Sequence, residues 1–112
     1  MTEFSGVAWK NRTGHTPNGQ GYGIKIPSLD VRHEHFRREW GTGQLLLEGA
    51  EQPVTVNVDK DSFWNATCGE LISAKIGRWL FARRLAPWPA GKPPHFRLRP
   101  TALREFEVTS LT

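Results

Sequence analysis

The sequence predicts an α+β fold: a small open or closed β-barrel of about six to seven short strands with two helices. Several short segments alternate apolar and polar residues, as strands with one buried face do. Glycine (11) and proline (8) are frequent enough in 112 residues to supply many turns. One longer segment has the spacing of an amphipathic helix, which needs a surface to cover. With no internal repeat and no linker, residues 1–112 are expected to form a single β-barrel domain.

The first half of the chain is predicted to hold four strands and a short helix. The predicted strands are Glu3–Asn11, Gly21–Pro27, Gln44–Glu48 and Val54–Val58, and the helix is Asp30–Trp40, capped by Ser28 or Asp30. Glycine and polar residues make Arg12–Gly21 a loop. The run of three leucines in Gln44–Glu48 suggests a strand buried on both faces.

The second half is organised around a helix from Ile72 to about Arg84. Ile72, Ile76, Trp79 and Leu80 are spaced so that they share one helical face. We expect this helix to begin within Gly69–Lys75, after a strand-exit loop over Ser62–Thr67. A proline-rich connection from Pro87 to Pro94 leads to two last strands. They are His95–Arg99, which Pro100 is expected to break, and Glu105–Leu111.

Composition limits the compartment. Apolar residues are 38% and charged residues 23% of the chain, as in globular domains. Cys68 is the single cysteine, so no disulfide can form within the chain and a reducing compartment fits best. No apolar run is long enough to span a membrane, so we expect no membrane partner. A cytoplasmic location follows, or a nucleoid-associated one if the protein is bacterial.

Motifs for catalysis are weak, so an enzyme is not the leading hypothesis. His33 and His35 are two residues apart and do not share a helical face, so a metal site is not expected. His15 and His95 are candidate acid–base groups, but no spacing places a partner beside them. We predict no catalytic residues and no cofactor.

The charge distribution indicates a polyanion as partner. The net charge is +4, and from Leu71 to Arg104 there are eight basic residues and no acidic one. These are Lys75, Arg78, Arg83, Arg84, Lys92, Arg97, Arg99 and Arg104. This basic run predicts a positively charged face that binds nucleic acid.

Three strings carry a resemblance to a known family. They are IKIPSLDVRHEHF (Ile24–Phe36), DSFWNAT (Asp61–Thr67) and GRWLFARRLAPWPAGKPPHFRL (Gly77–Leu98). Their order resembles the DNA-binding pseudobarrel superfamily. That superfamily includes the DNA-binding domains of plant auxin-response transcription factors and recognition domains of some bacterial restriction endonucleases.

The resemblance implies that two arms enter the major groove of duplex DNA. The first arm would be Lys10–Gln20, and the second would start at Asn57–Thr67. Asn18 and Asn65 have amides that can contact base edges. The nucleic-acid-binding residues that we predict are Lys10, Arg12, Asn18, Gln20, Lys25, Lys60, Trp64, Asn65 and Arg78.

Two features depart from the family pattern. Asp59 and Asp61 flank Lys60 in the second arm, where carboxylates would repel phosphate. The family also has a strand where this sequence predicts the start of the helix, within Gly69–Lys75. For Trp64, core packing is the alternative to DNA contact. The basic run is the alternative binding face.

The leading hypothesis is therefore a non-catalytic module that binds duplex DNA. A protein partner and a homodimer are both compatible with this hypothesis. The alternatives are a small endoribonuclease-type toxin, using His15 or His95 with Arg97 or Arg99, and a protein-interaction accessory module.

Overall fold

Seven strands form one curved sheet in the computed structural model, which describes residues 2–11 and 18–111. The strands are β1 (Phe4–Lys10), β2 (Tyr22–Lys25), β3 (Thr42–Leu47), β4 (Val54–Asn57), β5 (Glu70–Ile72), β6 (His95–Ala102) and β7 (Glu105–Ser110). Their order in the sheet is β4-β3-β7-β6-β1-β2-β5, and β3 with β7 is the parallel pair. The edge strands β4 and β5 come into contact, so the sheet is a nearly closed barrel, as predicted.

Three α-helices accompany the sheet in the described part of the chain. They are α1 (Leu29–His35), α2 (Asp61–Trp64) and α3 (Ala74–Ala82), and a 3-10 turn covers Arg38–Trp40. Helix α1 starts as predicted, because the Ser28 hydroxyl accepts a hydrogen bond from the Val31 N–H at 3.2 Å. It does not run to Trp40. Phe36 is extended and turns into the core, where its ring stacks on Phe106 at 4.6 Å.

The core follows the predicted alternation on several strands. Val54, Val56 and Val58 are buried, as are Tyr22 and Ile24. On β1 the inward residues are Phe4, Gly6 and Ala8, whereas Val7 and Trp9 point outward and are half-buried. Gly6 lies so close to β2 that a methyl group there would be 2.8 Å from Ile24.

Two strand predictions were wrong in detail. Leu46 on β3 is partly exposed while Leu45 and Leu47 are buried, because only the inner face of the sheet is covered. Strand β6 continues through Pro100, with an irregularity between Pro100 and Ala102. Pro100 is tolerated because β1 begins opposite Leu98, so no strand on that side needs its N–H.

The predicted start of the central helix was also wrong. Glu70–Ile72 is strand β5, which pairs with β2, and Gly69 turns the chain with a φ of +108°. Helix α3 begins later, where the Ser73 hydroxyl accepts from the Lys75 N–H at 3.1 Å. Its apolar face of Ile76, Trp79 and Leu80 packs in the core as expected, but Ile72 lies outside and is 40% exposed.

Candidate nucleic-acid interface

The two predicted arms meet opposite ends of strand β2. The first arm, Lys10–Gln20, leads into β2 at Tyr22. The second arm, Asn57–Thr67, comes against the other end, where the Lys25 ammonium donates to the Thr67 carbonyl at 3.1 Å. Tyr22 and Lys25 are three residues apart in a strand, or roughly 10 Å. The arms therefore border one short stretch of sheet.

The outer face of β1, β2 and β5 lies between the arms. The strand registers align Val7, Lys25 and Glu70 in one cross-strand row. They align Trp9, Gly23 and Ile72 in the next row. Gly23 has no side chain, and a methyl group there would lie 2.3 Å from the Leu71 carbonyl oxygen. The backbone of β5 therefore packs closely on Gly23, with Lys25 and Glu70 in one flanking row and the apolar Trp9 and Ile72 in the row of Gly23.

The base of the first arm is fixed on helix α3. The Arg78 guanidinium donates to the Asn18 carbonyl at 3.2 Å. The Asn18 side-chain oxygen accepts from the Gln20 N–H at 3.1 Å, while the Gln20 side chain is exposed. The arrangement brings Asn18, Gln20 and Arg78 together, as a shared binding surface requires. Arg12 and His15 lie outside the described residues.

Lys10, the last residue of β1, is directed away from the outer sheet face. Its ammonium lies 5.5 Å from the centre of the Trp88 ring, a cation–π contact. Lys10 therefore belongs to the side of the first arm that faces the proline-rich segment.

A buried arginine that the sequence analysis missed holds the second arm. Arg32 of α1 is fully buried and donates to the carbonyl oxygens of Phe63 and Asn65, the latter at 2.8 Å. Burial lowers its pKa, and the nearby Glu70 carboxylate opposes that shift. Gly69 makes room for the guanidinium, since a methyl group at Gly69 would lie 2.7 Å from it.

The sequence contained a signal for Arg32. It precedes Phe36 by four residues, so the two share one face of the helix predicted over Asp30–Trp40, and an apolar Phe36 predicts that this face is buried. An arginine on an apolar helical face must find carbonyl or carboxylate acceptors when it is buried.

Asn65 is exposed on the second arm, but half of its amide is already engaged. Its side-chain oxygen accepts from the Thr67 N–H at 2.7 Å and from the Thr67 hydroxyl at 2.8 Å. Reading adenine with two hydrogen bonds requires this oxygen as an acceptor as well as the amide N–H₂ as a donor. The arrangement leaves Asn65 the N–H₂ group as a donor.

Trp64 is placed mainly by packing. Its indole N–H donates to the Val58 carbonyl at 2.8 Å, and its ring meets Phe63 at 5.1 Å and His33 at 5.0 Å. The packing alternative considered for this residue accounts for these contacts. The partly exposed indole therefore stabilises the second arm through contacts within that arm.

Lys60 lies at the start of the second arm and is half-buried. Burial lowers the pKa of its ammonium, an effect that the nearby Glu70 carboxylate opposes. Lys25, Lys60 and Asn65 thus share the second-arm side of the surface.

The two carboxylates of the second arm share one ion-pair partner, a second arginine that the sequence analysis did not identify. Arg38 donates to Asp59 at 2.9 Å and to Asp61 at 2.7 Å. These contacts raise the pKa of Arg38, chiefly through the hydrogen bond to Asp59. The repulsion of phosphate expected from Asp59 and Asp61 is therefore reduced.

The basic run is not one unpaired face. Arg83 pairs with Glu48 at 3.2 Å, Arg97 with Glu3 at 3.5 Å, and Arg99 with Glu107 at 3.1 Å. Acids from distant parts of the chain supply the partners that the local sequence lacks. The predicted acid-free surface from Lys75 to Arg104 is thus interrupted by carboxylates.

The two histidines of helix α1 pack separately. His35 stacks on Phe4 at 4.2 Å and His33 packs on Trp64, so the two rings face different neighbours. Within residues 2–11 and 18–111 no group of three metal-ligating side chains comes together. No helix there has the length and apolar character to cross a bilayer.

Comparisons with protein-family models, with curated proteins and with solved structures gave no match to this chain.

Proposed function

We propose that the chain is a non-catalytic module that binds double-stranded DNA with both arms in one major groove. The observation that carries this proposal is that the described ends of the two arms lie at opposite ends of β2, roughly 10 Å apart. A major groove is about 12 Å wide, so one groove can take both arms. Membership of the pseudobarrel superfamily and a cytoplasmic location are parts of the same proposal.

The charges around this surface support a polyanionic ligand. Lys25 and Lys60 lie on the second-arm side, and Arg78 lies on the first-arm side. Arg38 pairs with both Asp59 and Asp61 and offsets part of their negative charge. Positive groups along the rim position a duplex, while amide donors such as Asn65 contact bases.

The order of elements also supports the resemblance. The family has a strand between the Trp-Asn string and the second helix, and β5 occupies that position here. The missing strand, which the sequence analysis gave as a departure from the family pattern, is therefore present.

A salt series on duplex DNA tests the proposal. Fluorescence anisotropy with a labelled mixed-sequence duplex of about 20 bp should show log K falling with log[salt]. Contacts from five cations (Lys10, Arg12, Lys25, Lys60 and Arg78) would contribute about −4.5 to this slope. An RNA duplex of the same sequence should compete less well, because its major groove is too narrow for the arms.

The opposite outcomes are equally clear. Absence of binding at 50 mM salt would overturn the proposal, and stronger binding to RNA would favour the endoribonuclease alternative. Loss of RNA cleavage in His95→Ala would then identify that activity. If neither nucleic acid binds, co-purification of a protein partner would favour an interaction module.

A further inference from the structure

A cleft lies beside the first arm, on the side to which Lys10 points. It has a volume of about 380 Å³, and its lining includes Arg84, Trp88, Lys92 and His95. Trp88 links the cleft to the first arm, because the Lys10 ammonium lies 5.5 Å from its ring centre. We call this feature the Trp88 cleft.

Arg84 occupies a backbone position that normally takes glycine. Helix α3 ends in a Schellman motif, in which Leu85 N–H donates to the Leu80 carbonyl at 2.8 Å and Arg84 N–H to Phe81 at 3.0 Å. Arg84 has a φ of +60°, in the left-handed region that is unfavourable for residues with a Cβ. Strain of this kind indicates that the side chain serves a purpose that glycine would not serve.

Lys92 is presented to the same cleft by a tight turn. Its N–H donates to the Pro89 carbonyl at 3.0 Å, and Gly91 has a φ of +75°, as a type II turn requires. The proline-rich segment is also tied to the sheet, since Ala8 N–H donates to the Pro94 carbonyl at 2.9 Å. The lysine therefore projects from an anchored segment.

The two cations differ from three arginines of the run that are ion-paired. Arg83, Arg97 and Arg99 each have a carboxylate partner. Neither Arg84 nor Lys92 has one among residues 2–11 and 18–111, and both side chains are exposed. An exposed pair of unneutralised cations that line one cleft is suited to a phosphate group.

We propose that Arg84 and Lys92 form a phosphate subsite for the DNA backbone beside the groove that the arms occupy. This inference rests on the proposed function, which it extends by naming a backbone contact outside the two arms. Lys10, between the first arm and Trp88, joins the subsite to the main surface. The left-handed backbone at Arg84 then has a functional reason.

Arg84→Gly provides the sharpest test, because it relieves backbone strain and removes a positive charge at the same time. Stability and DNA affinity should therefore change in opposite directions. Glycine suits the φ of +60°, so Tm should stay the same or rise, while DNA affinity should fall. In Arg84→Gly/Lys92→Gln the slope of log K against log[salt] should become less negative by about 1.8. Between 50 and 200 mM salt the wild type would then lose about tenfold more affinity than this variant.

Arg97→Gln/Arg99→Gln is the matched control, because it also removes two positive charges, here from arginines that are ion-paired to Glu3 and Glu107. Its salt slope should match the wild type. If the wild type binds DNA and Arg84→Gly/Lys92→Gln has the same salt slope, the subsite is refuted and the proposed function stands. An equal slope change in Arg97→Gln/Arg99→Gln would refute it too, because the effect would then be one of net charge. If the wild type does not bind DNA, both the subsite and the proposed function are refuted.

Discussion

The backbones of Gly19 and Gly77 touch, so that a methyl group on Gly77 would lie 2.2 Å from the Gly19 carbonyl oxygen. Gly19 itself has a φ of +89° and lies against the Ala74 carbonyl. Two glycines thus let the base of the first arm rest directly on helix α3. This contact brings Asn18 within reach of Arg78.

Gly77→Ala is expected to destabilise the fold although it places alanine in a helix. Alanine normally stabilises a helix interior by about 0.5–1 kcal/mol relative to glycine. Here the new methyl group has no space, and overpacking of this kind lowers the free energy of unfolding by about 1–3 kcal/mol. Urea denaturation measures the sign, and an increase in stability would mean that the arm does not rest on α3.

Arg32→Met should destabilise the protein and weaken DNA binding together. The substitution leaves the carbonyls of Phe63 and Asn65 without their buried donor, at a cost of about 2–3 kcal/mol. Arg37→Met, an exposed change on a neighbouring residue, is the control and should leave stability nearly unchanged. Chemical denaturation of both variants checks this, and equal effects would argue against a special role for Arg32.

Arg38→Gln should weaken DNA binding by exposing the charges of Asp59 and Asp61 to phosphate. A cycle of variants separates this effect from the loss of the arginine charge. Adding Asp59→Asn and Asp61→Asn to Arg38→Gln should restore most of the affinity, since the repelling groups are gone. Anisotropy titrations at low salt measure the recovery. If affinity stays low without the carboxylates, Arg38 itself contacts DNA.

Asn65→Asp separates two roles of the Asn65 side chain. Its oxygen accepts hydrogen bonds from Thr67, and its N–H₂ group is the proposed donor to DNA. The carboxylate still accepts from Thr67, so the second arm and the Tm should be nearly unchanged. It has no N–H₂ group and repels phosphate, so DNA affinity should fall at least tenfold, or about 1.4 kcal/mol. Asn65→Ala removes both functions and should also lower Tm. If Asn65→Asp binds DNA normally, the amide of Asn65 makes no contact with it.

Features that depend on local alternation were predictable. Val54, Val56 and Val58 face inward as their spacing requires, and so do Ile76, Trp79 and Leu80 on α3. Strand β5 was not predictable, because the three residues Glu70–Ile72 form a strand only through their pairing with β2. The helical spacing of Ile72 was accidental, since Leu71 is the buried neighbour.

The surface was harder to predict than the core, because charges find partners from distant segments. An acid-free stretch of sequence predicted an acid-free face, yet Glu3, Glu48 and Glu107 neutralise three of its arginines. Likewise the sequence predicted that Asp59 and Asp61 repel DNA, whereas Arg38 pairs with both and offsets part of their charge. Such pairings depend on tertiary contacts rather than on local spacing.

The most direct test of the two-arm surface is an NMR titration of ¹⁵N-labelled protein with a short DNA duplex. The account predicts amide shifts in residues 18–25, which include β2, and in residues 58–72, with smaller shifts at Arg84 and Lys92. The outer face of β3 and β4, which carries Gln44 and Thr55, should stay unchanged. Shifts that cluster on that face, with both arms unaffected, would contradict the account.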